Sequence, residues 1–162
     1  MIRRVHIIFS FFLLFILTTN LAIGQVAQKP AAKTFVKFKP PTVRTYLGKI
    51  SGNDGTAGVI EIKNLIVLPI KVIDDKDVSY TINSYQFVYK RLGETEDEES
   101  GKTSPQTDIV SNRFNTTPLP EIWQKNIIEG AHKGEEIYFF DIIAIDKQGR
   151  RFFAPELKIK IQ

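Results

Sequence analysis

Cysteine is absent from this 162-residue chain, and histidine, methionine and tryptophan are nearly so, with two, one and one copies. Without thiols the protein has neither disulfides nor a lipid-bearing cysteine at a processed N-terminus, so its stability rests on packing. His6 lies in the apolar N-terminal segment, which leaves His132 alone in the body of the chain. One imidazole without a second histidine or a thiolate cannot build a tetrahedral zinc site, and no nucleophile-elbow sequence accompanies it for acyl transfer. A strong excess of one charge is also missing. The formal net charge is +4, and removal of residues 1–24 takes 22 basic residues to 20 against 18 acidic ones, a net of +2. So balanced a chain has no electrostatic footprint for nucleic acid. Ser51-Gly52-Asn53-Asp54-Gly55 is rich in glycine but lacks a following Lys-Ser/Thr and a following helix, so it reads as a turn and not as a phosphate cradle.

What is present begins with a targeting pattern. Arg3 and Arg4 precede an apolar run from Ile7 to Leu17, and Ala22-Ile23-Gly24 supplies small residues for cleavage before Gln25. The alternative is a retained anchor, but Thr18, Thr19 and Asn20 cut the run short of the roughly 20 apolar residues that span a bilayer. The expectation is therefore an exported protein, periplasmic or at the cell surface, with no stable membrane span after cleavage. Residues 25–41 (QVAQKPAAKTFVKFKPP) hold three prolines among basic spacers and read as a flexible stem. Residues 42–162 form the folded body.

The body reads as mostly β. Twelve phenylalanines and five tyrosines provide the apolar area for such a core. Val43 to Ile50 predicts a first strand, and Gly58–Ile62 and Ile66–Ile73 are apolar segments that supply further sheet, the second an edge strand or bent because of Pro69. Asp74, Asp75 and Asp77 crowd a turn but lack the glycine and distal glutamate of an EF-hand, so they read as solvated. From Tyr80 to Lys90 the apolar alternation changes phase between Asn83 and Ser84, which predicts a β-bulge. Gly93 to Asp108 reads as a long, mobile polar loop. Its acids Glu94, Glu96, Asp97, Glu98 and Glu99 make it the candidate interaction loop.

Ile109–Phe114 predicts a short apolar return. Thr117-Pro118-Leu119-Pro120 then opens the one expected helix, Glu121 to Glu129, stopped by Gly130, with Ile122, Trp123 and Ile127 on one face and Trp123 in the core. The last thirty residues contain a turn at Lys133-Gly134, an apolar run from Ile137 to Ile145 that predicts a strand covered on both faces, a hairpin turn ending at Gly149, and a final strand alternating Leu157, Ile159 and Ile161 with polar residues. Asp141 interrupts the apolar run, and a structural pair with Arg150 or Arg151 is its expected role. No second carboxylate accompanies it for acid–base chemistry, so no catalytic residue, cofactor or metal is assigned.

Ile82–Tyr89 (INSYQFVY), Ser111-Asn112-Arg113-Phe114, the helix ending in Ile127-Ile128, and Lys133–Ile142 (KGEEIYFFDI) followed by Asp146–Arg150 resemble the C-terminal domain of the gliding-motility protein GldM. The resemblance covers about half of the chain, from Tyr80 on. The family's usual Gly-Pro-Asp-Gly turn is here Asp146-Lys147-Gln148-Gly149, the acidic stretch from Glu94 is an insertion, and GldM itself is a longer, membrane-anchored protein of several domains. The resemblance implies an Ig-like β-sandwich that is exported and non-enzymatic, whose partner is an envelope or secretion-machinery protein. A carbohydrate- or surface-binding module using exposed aromatic rings is the alternative, and an enzyme using Asp141 the remote third.

Overall fold

Nine strands and two short helices make up the body of this computed structural model, which describes residues 37–96 and 101–162. Lys39–Gln162 forms one unit by itself. The expected signal segment, residues 25–36 of the stem, and Asp97, Glu98 and Glu99 lie outside the described residues. The strands are β1 (Val43–Leu47), β2 (Ile50–Ser51), β3 (Gly55–Ala57), β4 (Ile70–Asp74), β5 (Ser79–Glu96), β6 (Thr103–Phe114), β7 (Glu136–Ile145), β8 (Arg151–Ala154) and β9 (Leu157–Ile161). Helix α1 spans Val59–Leu65 and α2 spans Glu121–Gly130.

The pairing path runs β2-β1-β4-β5-β7-β9-β3, with β6 on β5 and β8 on β7. All neighbours are antiparallel except β3 and β9. Because β2 and β3 flank one turn, the path nearly closes on itself. Lys158 N donates to Gly52 O at 3.0 Å, and a Cβ on Gly55 would stand 2.4 Å from the Ile50 side chain. Thr45 Oγ1 donates to Pro155 O at 2.6 Å, tying β1 to the β8–β9 link. The result is the expected mostly-β, sandwich-like fold. Its interior holds Leu47, Ile62, Val72, Tyr85, Phe87, Tyr89, Ile127, Ile137, Phe139, Ile142 and the inward residues of β9.

Three elements differ from expectation. Gly58–Ile62 does not join the sheet. Val59 to Leu65 is helical, because Ile62 and Ile66 fall on one helical face and both are buried, and so short an apolar run has no period of its own. There are thus two helices in the described body. Pro69 precedes β4 and does not interrupt it, so β4 bonds to β1 and β5 as an interior strand. In α2, Ile127 is buried but Ile122 is exposed, since a residue next to Trp123 in sequence turns to another face.

The central pair, β5 and β7, carries two compensating bulges. The register runs Ile82↔Ala144, Ser84↔Ile143, Gln86↔Phe140. One extra residue on β5, near Asn83, is followed by one extra on β7, near Asp141, and the pairing beyond them is the pairing before them. The expected bulge is present, and it has a partner. Asp141 sits at φ 47° and is exposed. Its Oδ2 accepts from Gln86 Nε2 at 2.7 Å, not from Arg150 or Arg151. Arg150 instead bonds Asp146 Oδ2 through Nε at 2.7 Å. The β7 bulge also explains the continuous apolar run. Ile137 and Phe139 point inward before it, Ile142 and Ala144 after it, so the run is one buried face that changes phase and the outer face is only half covered.

Candidate interaction site

The stretch expected to be a mobile loop is largely a β-ribbon. β5 and β6 pair without interruption from Tyr85↔Phe114 to Glu96↔Thr103, so Gly93–Glu96 and Thr103–Asp108 are strands. Polar composition concealed this. The ribbon is exposed on both faces, so no apolar alternation marks it. Glu94 is exposed opposite Pro105, and Glu96 lies opposite Thr103. Arg91 pairs with Asp108 across the two strands, and Thr95 bonds Gln106.

β7 reaches only as far as Lys90↔Glu136, so from Gly93 onward the ribbon stands as two strands with no third among the described residues. Its root is well packed. Trp123, half-buried, meets Phe87 edge-on at 5.6 Å and Phe114 at 5.4 Å, while Tyr85 and Phe139 complete the cluster. Tyr85 Oη donates to Thr116 O at 2.9 Å, and burial pushes its hydroxyl well above the usual tyrosine range.

Glu135 completes the root, a role not assigned to it from the sequence. It is 2 % exposed, one residue before β7, and its carboxylate accepts from Tyr89 Oη, from Leu92 N at 3.2 Å and from His132 N at 2.9 Å. Burial, and then the bond to Glu135, drive the Tyr89 hydroxyl far above its ordinary pKa. Gly134 turns the chain at φ 96° directly against Leu92, whose Cδ1 would be 2.8 Å from an added Cβ. The main chain on either side is pinned to the last strand, with Gly134 N donating to Ile161 O at 2.8 Å and Ile161 N to Glu135 O at 2.9 Å. The signal that could have revealed Glu135 is the pair Glu135-Glu136, where strand alternation turns one acid inward.

The direction of Leu92 N fixes the ladder of the whole ribbon. It points away from β6, towards the side of β7, so Leu92↔Thr107 is a non-hydrogen-bonded pair and Thr107 N–H also points away from the ribbon. By alternation the N–H groups of Thr107, Ile109 and Ser111 face the outer edge of β6, where no strand pairs among the described residues. Two features agree. Pro105, which has no N–H, falls on this outward set, the position an edge strand tolerates. Arg113 N, also outward, bonds the Asn112 side chain at 2.8 Å. A row of three outward amides is thus bracketed by a proline and a side-chain cap, and the central one belongs to Ile109, which is 61 % exposed.

The remaining sequence candidates are structural. Gly149, at φ 79°, closes the β7–β8 turn, in which Asp146 Oδ1 accepts from Gln148 N and Arg150 N. Asp74 Oδ1 accepts from Lys76 N and Val78 N, and Oδ2 from Tyr80 Oη, so the acidic turn spends its carboxylate on its own backbone. His132 is exposed, with Nδ1 3.9 Å from Glu135 Oε1. On the outer face of β7, Tyr138 and Phe140 stack at 4.9 Å and Tyr138 Oη donates to Glu156. Among the described residues no helix is long and apolar enough to cross a membrane. No protein-family model matches the chain, and no curated protein matches it.

Proposed function

We propose that this chain is an exported, non-enzymatic protein-interaction module of the bacterial cell envelope, and that it binds by adding a partner's extended segment to the outer edge of β6. The observation that carries this is the bracketed row of outward amides at Thr107, Ile109 and Ser111 on a strand with no outer neighbour among the described residues. Main-chain groups on an open edge give affinity without a pocket, and flanking side chains give selectivity. A two-stranded ribbon is only marginally stable in water, so a third strand from a partner stabilises what the body leaves unsupported. The resemblance of the chain from Tyr80 on to the terminal domain of GldM suggests an accessory role at the type IX secretion or gliding machinery as the setting.

Proline substitution separates the two sides of β6. Ile109→Pro removes an outward N–H and leaves the β5–β6 bonds intact, whereas Asp108→Pro removes an inward one and opens the ribbon. A tagged chain carrying Ile109→Pro keeps its melting temperature within a few degrees and loses an envelope protein that co-purifies with the wild type. Retention of that protein by Ile109→Pro, or recovery of abundant porins alone by the wild type, would overturn the proposal.

A second function has one observation in its favour. Phe153 is 71 % exposed on β8, on the same outer side as the Tyr138–Phe140 stack, and such rings suit a sugar face. Against it, Tyr85, Phe87 and Tyr89 are buried and Trp123 is spent on the core. Affinity electrophoresis in polysaccharide gels separates the two, because Phe153→Ser abolishes retardation only if this face binds sugar.

A further inference from the structure

We propose that Glu135 is a latch that sets where the ribbon begins and couples its root to the last strand. The inference concerns the order of the ribbon and holds whatever the ribbon binds.

In the β5–β7 register the residue opposite Arg91 would be Glu135, and β7 ends there. The next β7-side donor on β5, Leu92 N–H, would be left without a strand partner, and the Glu135 carboxylate takes it. A side chain thereby extends the ladder by one bond beyond the end of the strand. Past this point no described residue pairs with the β5 edge opposite β6, so the ribbon can open from its tip back to Gly93 without disturbing the body. At Leu92 opening must stop, because breaking that bond also strips a donor from a buried carboxylate. The same carboxylate holds Tyr89 Oη from inside the core and His132 N from the turn after α2. Glu135 O and Gly134 N hold both main-chain groups of Ile161. Leu92 closes over the turn from above, against Gly134. One residue therefore joins β5, the α2–β7 turn and β9.

An ordinary buried glutamate would lower the stability of every part of the protein together when replaced. A latch predicts something narrower, a change in the protection of Leu92 and His132 relative to the rest. Amide hydrogen exchange followed by NMR on the intact chain tests this. In the wild type the Leu92 and His132 amides exchange nearly as slowly as those of Phe87 and Val72, while the Glu94 amide exchanges quickly. In Glu135→Ala the Leu92 and His132 amides gain at least about tenfold in rate relative to Phe87 and Val72, in keeping with loss of a charge-assisted bond. Glu135→Gln keeps one carbonyl oxygen for Leu92 N, though not a second for His132 N, and restores most of the Leu92 protection, which also covers the case in which the alanine variant does not fold. An unchanged ratio between Leu92 and Phe87 in Glu135→Ala, or equal loss for Leu92 in the glutamine and alanine variants, overturns the latch.

Discussion

At Gly134 two demands coincide, a backbone at φ 96° and a neighbour, Leu92, that leaves no room for a side chain. Either alone disfavours substitution, and together they put the cost of Gly134→Ala at about 2 kcal/mol, read as a shifted urea midpoint with an unchanged slope. Other single residues act through protons. Asp74 is held below its ordinary pKa, first by the bond from Val78 N and then by Lys76 N and Tyr80 Oη, which outweigh a partial desolvation. At Asp146 burial pushes upward most strongly, but the main-chain and side-chain bonds from Arg150 together win and the pKa is lowered. A carboxylate with a depressed folded pKa contributes stability that is present above its unfolded value near 3.8 and lost as pH falls through the lower folded value. Urea unfolding at pH 5 and pH 2.5 should therefore show part of the acid loss of stability disappear in the double variant Asp74→Asn/Asp146→Asn. Tyr138 moves the other way. Burial, then the bond to Glu156, push its hydroxyl up to about 12, so its ultraviolet titration should finish well above that of an exposed tyrosine.

The paired bulges of β5 and β7 give the elements their own test. Deleting Asp141 alone leaves the β5 bulge uncompensated, so the two strands differ by one residue across this region and the pair must bend or slip there. Deleting Asn83 alone does the same from the other side. The double deletion restores equal spacing, with Ile82 and Tyr85 two apart on β5 and Phe139 and Ile142 two apart on β7. Each single deletion should cost several kcal/mol or prevent folding, and the double deletion should recover a cooperative melt. Half of this pattern was legible in the sequence. The phase change after Asn83 is plain in YTINSYQFVYK, where Tyr80 and Ile82 give way to Tyr85, Phe87 and Tyr89. The matching change on β7 was hidden, because apolar residues occupy both faces there and only Asp141 breaks the run. α1 was missed because seven residues with three isoleucines or valines look the same in either period, and the ribbon because its strands bury nothing. Trp123, Gly134 and Gly149 were identified from spacing alone, but Glu135 was not, since two of the three donors that hold its carboxylate, Tyr89 Oη and Leu92 N, lie more than forty residues away in the chain.

For the molecule as a whole, a well-packed body carries a ribbon with open edges. The sheet path returns on itself through the β2–β3 turn, so its ends are covered, and β6 is left as the long exposed edge among the described residues. Neither acids nor aromatic rings define the binding surface in this view. Direction does, through amides that point outward because Leu92 N points the other way. Incorporating a photo-crosslinking amino acid at Ile109 in the exported chain, and in parallel at exposed Lys125 on α2, tests this most directly. Binding along the β6 edge predicts a discrete adduct with one envelope protein from position 109, none from position 125, and loss of the adduct when Thr107→Pro is added. Equal adducts from both positions, or an adduct from 109 that survives Thr107→Pro, would contradict it.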